Sequence, residues 1–100
     1  MRVPPTAPPP ARASRERKAI LLDAFRRDLT FWIGSEPRVA LRVMRLIDDV
    51  LREPYSGIGK PEPLKYGSGW SRRIAEEHRM VYELTSAGPE FLTARYHYHR

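Results

Sequence analysis

From residue 18 onward the apolar positions change period along the chain, and each change marks a new kind of element. Residues 18–22 (KAILL) form a short apolar run ahead of Asp23, a residue type suited to a helix N-cap, so the pattern predicts an edge strand followed by a helix. Ala24, Phe25, Leu29, Trp32 and Ile33 then recur at helical spacing as far as Gly34, which predicts the C-cap. Ser35-Glu36-Pro37 restarts a helix, with a hydroxyl to cap it and Pro in its first turn. Val39, Val43, Leu46, Ile47, Val50 and Leu51 make the apolar stripe of this second helix, while Arg38, Arg42, Arg45, Asp48, Asp49 and Arg52 are expected to face water. Pro54 ends it, leaving a helical hairpin with one apolar side.

Beyond Pro54 the period falls to two. Strands are predicted over residues 64–65, 70–75, 78–85 and 90–98, with turns at 67–69, 76–77 and 86–89. Alternation places Ile74, Met80, Tyr82, Leu84, Leu92, Ala94 and Tyr96 on one face. Arg73, Arg79, Arg95 and His97 fall on the other, with Val81, Phe91 and Thr93 among them. The first face can receive the helical hairpin; the second stays open. The expected fold is α+β, a small, antiparallel-rich twisted sheet with an N-terminal helical hairpin on one face. Trp32 and Trp70 read as core anchors, and His78 as a structural histidine on the core side.

Composition changes the picture at the N-terminus. Residues 1–17 hold five of the ten prolines and almost nothing that can pack, which predicts a disordered, partly polyproline tail and leaves residues 18–100 as a single domain. A Pro-motif ligand or an Arg-rich RNA-tethering arm is the functional alternative for that tail. One hundred residues support one modest core. The absence of cysteine excludes a disulfide framework and a thiolate metal site, and no apolar run is long enough for a signal peptide or a membrane span. A cytoplasmic protein is therefore expected.

The net charge is +6, and arginine supplies nearly all of the excess. Because guanidinium grips phosphate bidentately and stacks on bases, the balance leans towards nucleic acid, with an acidic protein partner as the alternative that charge alone leaves open. Four arginines against Glu16 place half of that excess in residues 1–17, outside the expected fold.

The chemistry concentrates in residues 57–83, GIGKPEPLKYGSGWSRRIAEEHRMVYE, too rich in Gly, Pro and charge to be core. Cleavage of a phosphodiester by its own 2′-hydroxyl needs a base for the hydroxyl proton, cations for the phosphorane oxygens and an acid for the leaving 5′-oxygen. Glu62 is the candidate base, presented between Pro61 and Pro63, although a surface Glu in a Pro-rich loop has the same sequence. Arg79 and Arg73 are candidate phosphate clamps, with Lys60, Lys65, Arg72 and Arg95 as further backbone contacts; each can equally be a solvated partner of Glu76, Glu77 or Glu83. His97 is the candidate acid, and Tyr98 can stack on a base or join the acid step. His97 and His99 share a face and invite a metal reading, but the sequence offers neither a third ligand at suitable spacing nor a cysteine. The chain carries no Walker loop, no GxGxxG and no GxSxG.

GKPEPLK, WSRRIAEEHRMVYEL and the C-terminal ARYHY, taken together, resemble the Txe/YoeB toxin family of bacterial toxin-antitoxin systems, within the RelE/ParE superfamily. The resemblance extends over about residues 18–98, strongest from Gly57 onward. It implies a ribosome-dependent endoribonuclease that cuts mRNA in the A site, leaving a 2′,3′-cyclic phosphate and a 5′-hydroxyl. It also implies Glu62 as base, Arg79 as transition-state stabiliser, Arg73 as a supporting phosphate contact, and roles for His97 and Tyr98. A YefM-like antitoxin partner, a homodimer and no metal cofactor are further implications.

Three features depart from the family pattern: His99-Arg100 follow the tyrosine that usually ends the chain, the turn KYGSGW is short, and residues 1–17 are extra. A non-nuclease ParE-like toxin and an RNA- or protein-binding module on the same scaffold are the alternatives. Neither of them needs the combined Glu62, Arg79 and His97.

Overall fold

A computed structural model describes residues 18–96, so the expectations for the N-terminal tail, His97, Tyr98, His99 and Arg100 lie outside the described residues. The elements in chain order are β1 (Ile20–Leu21), α1 (Asp23–Ser35), α2 (Pro37–Arg52), β2 (Glu62–Pro63), β3 (Trp70–Ala75), β4 (His78–Thr85) and β5 (Gly88–Thr93). They build an open five-stranded mixed sheet in the order β1-β5-β4-β3-β2, with the two helices on one face, which is the expected α+β architecture. β1 pairs in parallel with β5, and every other pairing is antiparallel. None of the described helices is long and apolar enough to cross a membrane.

The core lies between the helices and this face. Phe25 and Trp32 enter it from α1; Ala40, Val43, Leu46, Ile47 and Val50 from α2; Ile74, Met80, Tyr82, Phe91 and Ala94 from the sheet side. Burying each large apolar side chain contributes roughly 1.5–3 kcal/mol before chain entropy is counted. The Trp32 indole Nε1 also donates to the Ala94 carbonyl at 2.8 Å, tying α1 to the end of β5. Trp70 is partly buried against the core, its ring edge-on to Tyr55.

Helix boundaries differ from expectation by a residue or so. Asp23 is the first residue of α1, with Leu22 as the N-cap, and its carboxylate pairs with Arg26. Gly34 lies inside α1, and the helix ends at Ser35, whose hydroxyl donates to the Phe31 carbonyl instead of capping α2. Glu36 both ends α1 and precedes Pro37 at the start of α2. Asp49, expected in water, is only 5% exposed.

The sheet departs further from strict alternation. The short strand before β3 is Glu62–Pro63, not residues 64–65, and Lys65 lies in the bend that follows. A register shift between Val81 and Tyr82 pairs Val81 with Thr93 but Tyr82 with Phe91. Such a bulge inverts the facing of the residues around it. Phe91 therefore joins the core with Tyr82, and Leu92 is not part of that cluster. Regular pairing stops at Thr93, short of the expected residue 98, and Tyr96 is 53% exposed with a φ of 59°.

Candidate functional site

The face of the sheet turned away from the helices carries a cluster of charges. Alternation along β3 sends Trp70, Arg72 and Ile74 towards the helices and Ser71 and Arg73 to the other side. The register sets Arg73 directly opposite Arg79, and Ser71 opposite Val81 on β4 and Glu62 on β2. Glu62, Ser71, Arg73 and Arg79 thus meet where three strands lie side by side.

Arg79 is held from two sides. Its Nε donates to Ser71 Oγ at 2.8 Å, and its Nη2 donates to the carbonyls of Lys60 at 3.1 Å and Ser71 at 3.2 Å. This places Nη2 3.7 Å from Glu62 Oε1. The Arg79 side chain is 13% exposed and that of Glu62 53%, so the cation is sunk and the carboxylate stands in solvent. Partial burial pushes the Arg79 pKa down, Glu62 opposes that and Arg73 adds to it. The group remains a cation near neutrality.

Arg73 is exposed beside it, with its backbone engaged: its N–H donates to the Gly59 carbonyl at 2.6 Å and its carbonyl accepts from Arg42 Nη2 at 3.1 Å. Lys60 is exposed and holds a φ of 54°, a left-handed conformation uncommon for a residue with a side chain. Lys65 is exposed in the bend after β2. Glu62, expected on a loop, sits on a short edge strand whose register with Ser71 sets its distance from Arg79. An exposed carboxylate beside a sunk guanidinium, with three further exposed cations on these strands and loops, can take up a proton while the cations hold an anion.

Two of the expected phosphate contacts lie elsewhere. Arg72 is fully buried on the helix side, where Nη1 pairs with Asp49 Oδ2 at 2.6 Å, so no ligand on the open face can reach it. Arg95 lies beyond the end of β5 at Thr93, and its guanidinium stacks 3.7 Å from the centre of the Phe31 ring on α1 and donates to the Tyr96 hydroxyl. His78 is structural, as expected: its Nδ1 accepts from the Tyr96 N–H at 2.6 Å and its ring meets Trp32 edge-on.

Two residues that hold these arginines in place were not among those singled out from the sequence. Ser71 anchors Arg79, and the signal for it was its place two before Arg73 in the alternation. Asp49 holds Arg72, and the signal was an acid one residue from the apolar stripe at Val50.

Comparison with known proteins gives a consistent result. Residues 22–98 match the family model described as the YoeB-like toxin of bacterial type II toxin-antitoxin systems. Toxin YoeB of Mycobacterium bovis is 48% identical over 73 residues, which cover 71% of this chain and 86% of that protein. The structure of a YoeB/ParE toxin from Agrobacterium tumefaciens superposes with a TM-score of 0.76 at 38% identity, over 81% of this chain and 99% of that one. A YoeB-YefM complex from Staphylococcus aureus superposes with a TM-score of 0.73 at 27% identity, over 83% and 99%.

Proposed function

The chain belongs to the YoeB-like toxin family of bacterial type II toxin-antitoxin systems, and from that membership we propose that it is a ribosome-dependent endoribonuclease acting on mRNA in the A site. Glu62 takes the proton of the 2′-hydroxyl, and the freed oxygen attacks the adjacent phosphorus. Arg79, with Arg73, Lys60 and Lys65 around it, holds the charge that gathers on the phosphorane oxygens. The bond from phosphorus to the 5′-oxygen breaks as His97 supplies a proton, leaving a 2′,3′-cyclic phosphate and a 5′-hydroxyl. Tyr98 stacks on a base beside the scissile bond. The step uses side chains alone and requires no metal.

The observation that carries this reading is the approach of Arg79 to Glu62, with Arg73 across the strand pair from Arg79. A carboxylate, a sunk cation and an exposed cation on one face meet the demands of the reaction for a base and for phosphate stabilisation. A ParE-like toxin that binds a protein target has no use for this set.

A YefM-like antitoxin is the proposed protein partner, following the S. aureus complex on the same fold, and a homodimer and a cytoplasmic location follow from the family resemblance. In vitro translation of a defined message, with wild type and Glu62→Ala side by side, tests the activity. Wild type is expected to cut within the A-site codon and leave a cyclic phosphate, and the variant to leave the message whole. Intact message with wild-type protein that still binds antitoxin would end the proposal.

A further inference from the structure

The reaction proposed above makes no use of Arg72, one of the largest fully buried side chains of the fold. We propose that Arg72 is a positioning residue: through Asp49 and the loop between α2 and β2 it sets where Lys60 and Glu62 stand relative to Arg79. The inference rests on the reading of Glu62 as the base.

A guanidinium has five N–H donors, and Arg72 uses them on partners from three parts of the chain. Nε donates to the Tyr82 hydroxyl at 3.1 Å, and Nη1 donates to Asp49 Oδ2 at 2.6 Å and to the Ile58 carbonyl at 3.1 Å. Nη2 donates to the carbonyls of Glu53 at 2.7 Å and Ser56 at 3.0 Å. The partners reinforce one another: Asp49 Oδ2 accepts from the Ile58 N–H at 2.9 Å, and the Tyr82 hydroxyl donates to the Pro54 carbonyl at 2.8 Å. The loop is thus tied at residues 53, 54, 56 and 58 to one buried cluster.

The fit is close. Gly57 passes over the carboxylate with a φ of 126°, and a Cβ there would lie 2.0 Å from Asp49 Oδ2. Gly59 has a φ of 82°, and a Cβ there would lie 3.0 Å from Arg72 Cβ. Immediately beyond, the Gly59 carbonyl accepts from Arg73 N–H, the Lys60 carbonyl accepts from Arg79 Nη2, and Glu62 pairs with Ser71. From the end of α2 to Glu62 the path of the chain is therefore dictated by Arg72 first and by Arg73 and Arg79 after it. A lysine could neutralise Asp49, but a single ammonium has three donors and no fork to span these carbonyls. A buried ion pair adds little stability over an apolar pair of similar volume. What this one supplies is a single path for the loop.

The test is single-turnover cleavage on programmed ribosomes by Arg72→Lys, which keeps the charge but loses the fork, and by Gly57→Ala, which displaces the loop and leaves Arg72 intact. Both are expected to cleave with full amplitude but with a rate constant about tenfold or more below wild type, at unchanged half-saturation in ribosomes. A loss of folded protein would lower amplitude instead. Wild-type rate constants, or loss confined to amplitude, would overturn the inference. So would a Gly57→Ala protein that fails to fold, because the loop would then belong to the global fold and not to local positioning. Glu62→Ala run in parallel separates the two claims: cleavage at the wild-type rate by that variant defeats the reading of the base. An inactive Glu62→Ala beside fully active Arg72→Lys and Gly57→Ala defeats only the positioning role of Arg72.

Discussion

Arg73 and Arg79 stand directly opposite each other across β3 and β4, two cations on one face of the sheet. Like charges at such a pair oppose folding by roughly 0.2–1 kcal/mol; Glu62 offsets part of this at Arg79, and an anion laid across both guanidinium groups would offset more. Arg73→Thr should therefore leave stability in urea equal to wild type or up to about 1 kcal/mol higher, while cleavage falls. A variant that loses both stability and activity would show that Arg73 supports the fold.

Arg79 donates through both Nε and Nη2 to groups that flank Glu62, and a lysine at this position cannot reproduce that geometry. Arg79→Lys is expected to lower the cleavage rate by about 10² to 10³, the usual loss when one preorganised donor is removed. Antitoxin binding, followed by calorimetry, should be retained and so show that the fold persists. A lysine variant within a factor of a few of wild type would mean that charge alone suffices.

Asp49 links pH to stability. Burial pushes its carboxyl up, but the hydrogen bonds from Arg72 and the Ile58 N–H and the charges of Arg72 and Arg52 outweigh burial and hold it below the usual carboxylate range. A group whose pKa is lower in the folded than in the unfolded chain contributes its stability above the unfolded value and loses it as pH falls through the folded one. Asp49→Asn should cost about 3–5 kcal/mol at pH 7, because it leaves Arg72 buried without a counter-charge. The gap between wild type and variant should narrow as pH falls below about 4, where Asp carboxyls protonate in the unfolded chain. Denaturant titrations at pH 7, 5 and 3 check this, and a gap constant with pH would contradict it.

Trp32 Nε1 donates to the Ala94 carbonyl from inside the core. Trp32→Phe keeps an aromatic ring there and removes the donor, so it is expected to cost about 1–3 kcal/mol, the desolvation penalty of an unpaired buried polar group. Thermal or urea unfolding measures the loss. A neutral result would show that the carbonyl finds another donor.

Much of the fold was legible because burial imposes periods. Val43, Leu46, Ile47 and Val50 could only be the inner face of a helix, and Ile74, Met80 and Tyr82 the inner face of strands. Arg73 and Arg79 came out on one face for the same reason. Alternation failed where the sheet carries a register shift, since two residues then oppose one and the facing reverses. Phe91 consequently went into the core. Arg95 lies past the last regular pair, at Thr93, where alternation no longer sets the facing, and it went to the Phe31 ring instead of the open face.

Local spacing and residue type, which a linear chain carries in full, were enough for the α+β class, the family, the hairpin and its apolar stripe. They were also enough to put a carboxylate and two arginines on a surface free of the helices. Which arginines remain available is a matter of tertiary contact. Arg72 and Arg73 are neighbours of the same type, yet one faces the helices and the other the open side, and an acid on α2 decides the fate of the buried one. That Asp49 is a counter-charge and not a solvated residue depends on a contact between a helix and a distant strand. A guanidinium enters a core only where such a partner meets it.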